Sequence, residues 1–236
     1  EGVLYYDDQK VMDFCKEANR AGLQIELHAI GDKAFDQACR AIKAALDDCP
    51  REDHRHGIIH DCLPTPEGIQ ICRDYHIQMP MQSAFIGWKQ EPDDYLEHIL
   101  GHDRLEKLNP IKTFRDNDIM VSFGSDAPCT TPDPIVWMDR AVNNDNAGQA
   151  VSVQDALRMC TYNGAWAAFD EQERGSLEAG KIADMAVLSE NPYTVPKDKI
   201  KDIRVERLYL SGKSYESCRE SILPMMLRGL TSRNKA

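Results

Sequence analysis

The chain has 236 residues, of which 42% are hydrophobic, and a formal net charge of −11 at pH 7. This length suffices for one large domain or two smaller ones. The acidic balance argues against a general nucleic-acid-binding protein, which would present a basic patch. No apolar run approaches the about 20 residues of a membrane-spanning helix, and residues 1–8 do not have the pattern of a signal peptide. We therefore expect neither nucleic acid nor membrane as a partner.

The chain contains eight cysteines and no CxxC motif. Several of them lie in apolar runs that are typical of helices or strands. In a chain of this length, such a pattern favours free thiols in a reducing compartment over a disulfide framework. We therefore expect a cytoplasmic protein.

Predicted strands and helices alternate along the first two thirds of the chain. The strands, each a short apolar or alternating run, are 23–27, 57–60, 76–82 and 119–123. The helices have apolar residues at helical spacing and are 9–21, 32–49, 66–75, 93–117 with a break at Asn109-Pro110, and 152–169. Gly22 is the expected C-cap of the first helix, and Asp32 and Ser152 are expected N-caps. Pro80 weakens the third strand prediction.

Strands that alternate with helices predict a parallel α/β sheet or barrel. Only four such units precede residue 150, half the number in a closed eight-stranded barrel. Two architectures remain open on the pattern alone: a smaller open sheet, or the later half of a barrel. Beyond Gly175 the chain becomes rich in turns, and residues 183–188 and 203–210 are expected to form strands of a small β element. Residues 219–236 are expected to form a short helix or a frayed tail.

Three metal-capable side chains follow predicted strands: His28, His60 and Asp126. His28 and His60 are 32 residues apart, and Asp126 follows 66 residues later. A strand with its returning helix takes roughly 30 residues in a barrel, so these gaps correspond to one unit and two units. Each side chain alone is more often structural, but together they are predicted to project from one rim. Two imidazoles and a carboxylate suit zinc, which can generate hydroxide from water at neutral pH.

Other polar motifs have simpler interpretations. The string His54-Arg55-His56 lies in a charged stretch, so we expect a solvated connection, with metal binding as the less favoured alternative. His76, His98 and His102 are expected at the surface or on helices, and Lys33 and Lys181 are expected to be structural. Gly124-Ser125-Asp126 is not a nucleophile elbow, and no glycine-rich phosphate loop occurs.

Three strings resemble the amidohydrolase superfamily, and its amidohydrolase 3 branch in particular, which includes N-substituted formamide deformylase-like proteins. They begin at His28 (HAIGDKA), at Gly124 (GSDAP) and at Gly175 (GSLEAGKIADMAVL). The resemblance spans roughly residues 3–215. It implies an α/β fold that forms the later half, strands 5–8, of a (β/α)8 TIM-type barrel over residues 1–174. Residues 175–215 would form the C-terminal part of a composite β-sandwich, and residues 216–236 a tail.

The resemblance also implies residue roles and a reaction. His28 and His60 would be the metal ligands of the fifth and sixth strands, and Asp126 the ligand and proton shuttle of the eighth. Gln82 lies in the seventh-strand region and receives no role. The implied function is a metal-dependent hydrolase that cleaves C–N bonds of a small molecule (amide, formamide, cyclic amide or amine-bearing ring) with a metal-bound hydroxide. The expected cofactor is a divalent metal ion, most of all zinc. We expect one or two ions in the full-length protein, and weak or no metal binding by this chain alone.

Two departures from the family pattern shape this interpretation. The sixth strand typically reads Arg-Ile-Glu-His, whereas this chain reads Gly57-Ile58-Ile59-His60. The first-strand His-x-His pair and the fourth-strand lysine have no counterpart at matching positions. We therefore expect the C-terminal portion of an amidohydrolase.

Two alternative functions stay open. The chain could be a truncated, non-catalytic fold unit that assembles with itself, as a homo-oligomer, or with a missing N-terminal half. An open α/β sheet that binds a small molecule at its strand ends is a third interpretation.

Overall fold

The structure is a computed structural model in which residues 3–215 are described. The helices are α1 (Asp8–Arg20), α2 (Asp32–Asp48), α3 (Pro66–Asp74), α4 (Asp93–Leu100), α5 (His102–Leu105), α6 (Ile111–Asp116), α7 (Pro134–Val142), α8 (Val153–Cys160) and α9 (Tyr162–Ala167). The strands are β1 (Glu26–Ala29), β2 (Gly57–His60), β3 (Met79–Met81), β4 (Val121–Phe123), β5 (Met185–Leu188), β6 (Val205–Leu210) and β7 (Lys213–Ser214). Short 3-10 turns lie at Ser83–Phe85, Ala147–Gln149 and Lys197–Asp202.

The first four strands are parallel and follow the order of the chain. β1 pairs with β2, and β3 pairs with β4. A parallel bridge between Gly57 and Gln78 connects the two pairs. Helices lie in each connection between these strands, so the α/β class predicted from the sequence is confirmed. The strands β5, β6 and β7 form a separate antiparallel sheet.

One buried core joins the helices to the parallel strands. Its largest members are completely covered and come from α2, β2, β3 and α6: Phe35, Ile42, Ile58, Met79, Ile111 and Phe114. Ile200 and Ile203, in and just after the 3-10 turn at 197–202, belong to the same core. The segment beyond residue 175 is therefore anchored on the α/β body, and the boundary at 174 stays a prediction.

Several predicted element boundaries differ from the structure. The third strand is shorter than 76–82 because His76 has a positive φ of 53° and the ladder begins at Met79. The helix predicted over 152–169 is wrong as a single element. At Thr161 the backbone leaves the helical region, with φ −128° and ψ −89°, and divides α8 from α9.

Two helix caps lie one residue away from the predicted positions. One helix, α7, was not predicted. Gly31, not Asp32, is the N-cap of α2, and Asp32 lies in the first turn, where a carboxylate favours the helix dipole. Ala21, not Gly22, is the C-cap of α1, although Gly22 has the expected positive φ of 76°. Helix α7 was missed, and it begins at Pro134 after the capping side chain of Asp133.

The prediction that His54-Arg55-His56 is solvated is wrong, because all three residues are buried. The His56 ring accepts a hydrogen bond from the Ile25 N–H at Nδ1 (3.1 Å) and donates from Nε2 to Asn19 Oδ1 (3.0 Å). His54 accepts from the His56 N–H and donates to the Tyr75 carbonyl. Burial lowers the pKa of both imidazoles, that of His56 to about 3. Both rings are neutral structural links, which excludes them as an open metal site.

The remaining expectations for single residues are mostly confirmed. His76, His98 and His102 are exposed. Lys181 is structural, because its ammonium donates to the Glu171 carbonyl and to Ser176 Oγ, both at 2.6 Å. The seven cysteines within the described range are free thiols. None of the helices between residues 3 and 215 has the length and apolar character that crossing a bilayer requires. The expected tail over 216–236 lies outside the described residues.

Gly68 in α3 is expected to reject alanine, although alanine stabilises most helix interiors by roughly 0.5–1 kcal/mol relative to glycine. A Cβ at Gly68 would lie 2.3 Å from Cε1 of Phe35, which is completely buried. Because the packed core holds that ring, overpacking of roughly 1–3 kcal/mol outweighs the helix gain. We expect Gly68→Ala to lower the free energy of unfolding by about 1–2 kcal/mol in urea titrations.

Gly164→Ala in α9 is the matched control, since no atom lies within 4 Å of its added Cβ beyond its own helix and neighbours. It is expected to leave stability unchanged or slightly raised. A Gly68→Ala protein as stable as the Gly164→Ala protein would contradict the packing argument.

Candidate metal centre

The structure brings His28 and His60 together at the ends of two adjacent strands. Their ring centroids are 4.5 Å apart, and the rings meet edge to face at 79°. In the parallel register His60 pairs with Ala29, the neighbour of His28. His28 is exposed, whereas His60 is buried. Adjacent strands therefore supply two imidazoles at one edge of the sheet.

His60 reaches this position because its backbone leaves the strand conformation. Gly57 pairs with Glu26, and both lie on the face of the strands that also carries His28. Strict alternation along β2 would place His60, three residues after Gly57, on the opposite face. The φ of His60 is +81° and that of Asp61 is +49°, in a region that non-glycine residues rarely adopt. Such backbone outliers concentrate at functional sites. The turn lays the His60 ring against His28.

The surroundings of His60 favour its neutral form. Burial and then the neighbouring His28 lower its pKa, and the Gln82 amide and the Asp126 carboxylate only partly oppose this shift. Its Nδ1 atom is buried and has no hydrogen-bond partner among the described residues. A neutral imidazole with an unsatisfied nitrogen is the form that binds metal ions.

Asp126 does not join the two histidines in a three-ligand cluster. It lies in the loop after β4, is exposed and has a φ of +53°. Its carboxylate is near enough to influence the charge of His60. Between residues 3 and 215, however, no three His, Cys, Asp or Glu side chains are grouped closely enough to hold a metal ion. Two of the three sequence-predicted ligands thus come together, and the third lies at a distance.

Gln82, which sequence reasoning left without a role, is buried close to His60. Its Nε2 donates to the Pro80 carbonyl (3.2 Å), while its Oε1 has no partner within the described part of the chain. Phe85 also lies against His60, with ring centroids 6.2 Å apart. The sequence carried no signal for Phe85, because a loop aromatic has no periodic pattern.

Gly57 has no side chain where the family pattern has arginine, and the Glu26 side chain fills the space beside it. A Cβ at Gly57 would lie 2.4 Å from Oε2 of Glu26. The other oxygen, Oε1, accepts a hydrogen bond from Gln78 Nε2 (3.1 Å). Although the residue is partly exposed, burial of its carboxyl group raises the pKa to about 7. An acidic side chain thus fills the place where the family pattern has arginine.

Comparisons with known proteins identify the family of the chain. A family model described as "Amidohydrolase family" matches residues 1–215. The "Putative amidohydrolase YtcJ" of Bacillus subtilis is 26% identical over 90% of this chain and 41% of its own length. The "N-substituted formamide deformylase" of Arthrobacter pascens is 28% identical over 89% of this chain and 40% of its own length. The chain therefore spans about 40% of the length of these relatives.

Two solved structures are similar to the chain. An uncharacterized metal-dependent hydrolase from Pyrococcus furiosus is 27% identical with a TM-score of 0.66, over 77% of this chain and 36% of that protein. A second one, from Pyrococcus horikoshii, is 24% identical with a TM-score of 0.70, over 83% of this chain and 40% of that protein. The second likeness shows the fold alone.

Proposed function

The chain belongs to the amidohydrolase family, and we propose that it forms strands 5–8 of the (β/α)8 barrel of a divalent-metal-dependent hydrolase. The proposed reaction is hydrolysis of a C–N bond in a small-molecule amide, formamide, cyclic amide or amine-bearing ring. The names of the two bacterial relatives support amide chemistry. A cytoplasmic location is part of the proposal, since the described cysteines are free thiols.

The observation that carries the proposal is the edge-to-face contact of His28 and His60 at 4.5 Å. Strand ends on this side of a parallel barrel are where active sites are built. The buried Nδ1 of His60, which has no hydrogen-bond partner among residues 3–215, could be satisfied by a further group. Packing alone does not require two histidines on neighbouring strand ends.

The donor set fits a divalent metal. His28 and His60 would hold it through imidazole nitrogens, and we propose zinc because imidazole is among its preferred ligands. A catalytic zinc has three protein ligands. Asp126, on the loop after β4, is the proposed third, and it would have to approach the two rings. When bound, a divalent metal activates water and polarises the scissile carbonyl.

Asp126 is the proposed proton carrier. Its carboxylate is exposed at the rim, and its loop is held by a hydrogen bond from the Thr130 hydroxyl to the Ser125 carbonyl. The Cys129 N–H also donates to the Asp126 carbonyl (2.9 Å). An exposed carboxylate on a braced loop can take a proton from the attacking water and deliver it to the leaving nitrogen.

The test is hydrolysis of a panel of N-formyl and N-acyl amides by the intact protein before and after removal of metal with a chelator. We expect hydrolysis to disappear on metal removal and to return when zinc or another divalent ion is added. We also expect Asp126→Asn to lower the rate by about 100-fold or more, which is the usual contribution of a positioned acid or base.

Hydrolysis that persists in fully metal-free protein would contradict the proposal. Glu206→Gln is the control for Asp126→Asn, since Glu206 is an exposed carboxylate on β6, far along the chain from the rim. A stably folded protein that neither binds metal nor hydrolyses any of the amides would favour the non-catalytic fold unit instead.

A further inference from the structure

A cavity of about 590 Å³ lies between the loops that follow β3 and β4. Ala84 and residues 87–90 form one wall, residues 127–132 form the other, and Val136 and Arg140 of α7 complete it. Its volume is within the range of small-molecule sites, which is roughly 300–1,000 Å³. The loops follow the carboxyl ends of β3 and β4, whereas His28 and His60 lie at the carboxyl ends of β1 and β2, on the same edge of the parallel strands. The second loop segment begins next to Asp126.

An aromatic chain connects the cavity to the candidate metal centre. The Phe85 ring lies 6.2 Å from the His60 ring, and the Trp88 ring lies 5.0 Å from Phe85, edge to face. Trp88 lines the cavity. Only Phe85 therefore lies between the Trp88 ring and the His60 ring. A small substrate that packs against Trp88 can also reach His60.

The charge of the cavity is opposite to that of the chain. Its lining includes Lys89 and Arg140 and no carboxylate, whereas the chain has 39 acidic against 28 basic residues. Neither cation makes an ion pair within 4 Å with another described residue. The nearest identified acid is Asp145. A Cβ added at Gly87 would lie 2.8 Å from Asp145 Oδ2 and also 2.8 Å from Arg140 Nη1. An anion would find two cations here that are in no ion pair with the described residues.

We propose, as an extension of the proposed hydrolase function, that this cavity binds a carboxylate-bearing planar group of the substrate. The Arg140 guanidinium would pair with the carboxylate, for which its planar fork is suited. Trp88 would pack against the planar apolar part, as aromatic rings do. Lys89, exposed at the entrance, would add attraction at longer range. The substrate class is thus an amide with an anionic aryl-type group beyond the scissile bond.

The binding test uses benzoate and its neutral analogue benzamide as probes in calorimetric titrations of the intact protein. We expect benzoate to bind at least about 10-fold more tightly than benzamide. Arg140→Gln should remove this preference, Lys89→Gln should weaken it, and Arg140→Lys should keep part of it. Arg207→Gln and Lys201→Gln, at exposed positions outside the cavity, are matched controls that should retain it.

A chemical readout locates the probe. Cys129 lines the cavity and is exposed. Benzoate should slow alkylation of Cys129 by iodoacetamide, measured by peptide mass spectrometry, whereas benzamide at the same concentration should not.

Turnover provides the link to the reaction. Arg140→Gln should raise KM for 4-formamidobenzoate by a factor at least about 10-fold larger than any change in KM for 4-formamidobenzamide. Equal affinities for benzoate and benzamide, or an unchanged benzoate affinity in Arg140→Gln, would overturn the cavity proposal. Because the binding and alkylation tests do not need turnover, failure of the hydrolase proposal would appear separately, as benzoate binding without hydrolysis.

Discussion

Replacing His60 with asparagine is expected to lower both metal affinity and hydrolysis by about 100-fold or more. Even groups that only support a metal-binding histidine are typically worth 10–100-fold in affinity or activity, so loss of a ligand should cost at least as much. Asparagine is chosen because it tolerates the left-handed backbone that His60 adopts, with φ +81°. The loss should therefore report on the imidazole rather than on folding. Metal content and kcat/KM are the measurements.

The control is His98→Asn on α4, where the imidazole is exposed. This protein should keep wild-type metal content and activity. If His60→Asn retained both while folding normally, His60 would not be a ligand and the contact with His28 would be structural.

Removing the Arg55 side chain should have the largest effect on stability. The guanidinium is 8% exposed and makes two-point hydrogen bonds with Glu171 (2.7 and 2.9 Å) and with Asp53 (2.7 and 3.1 Å). It also lies over the rings of Trp166 and Phe169, at 4.7 and 4.1 Å. Arg55 thus ties the segment before β2 to the segment after α9.

We expect Arg55→Gln to lower the free energy of unfolding by about 3 kcal/mol, because Glu171 is only 11% exposed and would lose its cation. Urea titration measures this. The double variant Arg55→Gln with Glu171→Gln should recover part of the loss, since no buried carboxylate is then left without a cation, and Asp53 is 63% exposed.

Arg20→Gln is the matched surface control. Arg20 also makes a two-point contact with a carboxylate, that of Asp48, but its side chain is 58% exposed. Exposed pairs contribute about 0–1 kcal/mol. Equal losses in Arg55→Gln and Arg20→Gln would show that burial does not set the value of the Arg55 pair.

The parts of the fold that local pattern determines were predictable from the sequence. Strand β2 was predicted with its observed bounds, because the apolar run Gly57–His60 stands between polar segments. The gap of one strand-helix unit correctly anticipated that His28 and His60 lie close together. Periodicity and strand spacing predict these features because they depend on residues that are close together along the chain.

The parts that depend on distant contacts were not predictable. His54 and His56 carry a local signature of solvation, yet partners as distant in sequence as Asn19 and Tyr75 bury them. The Thr161 break has no proline or glycine to announce it. Side-chain direction at Asp126 depends on a loop, and no strand period fixes it. Such features arise from tertiary packing, which overrides local preference.

X-ray absorption at the metal edge of the zinc-loaded intact protein measures whether His28 and His60 hold one metal ion. We expect at least two imidazole nitrogens about 2.0–2.1 Å from the metal. We also expect one of these nitrogens to be lost in His28→Ala and one in His60→Asn. A coordination shell without imidazole, or one unchanged in both variants, would contradict this expectation.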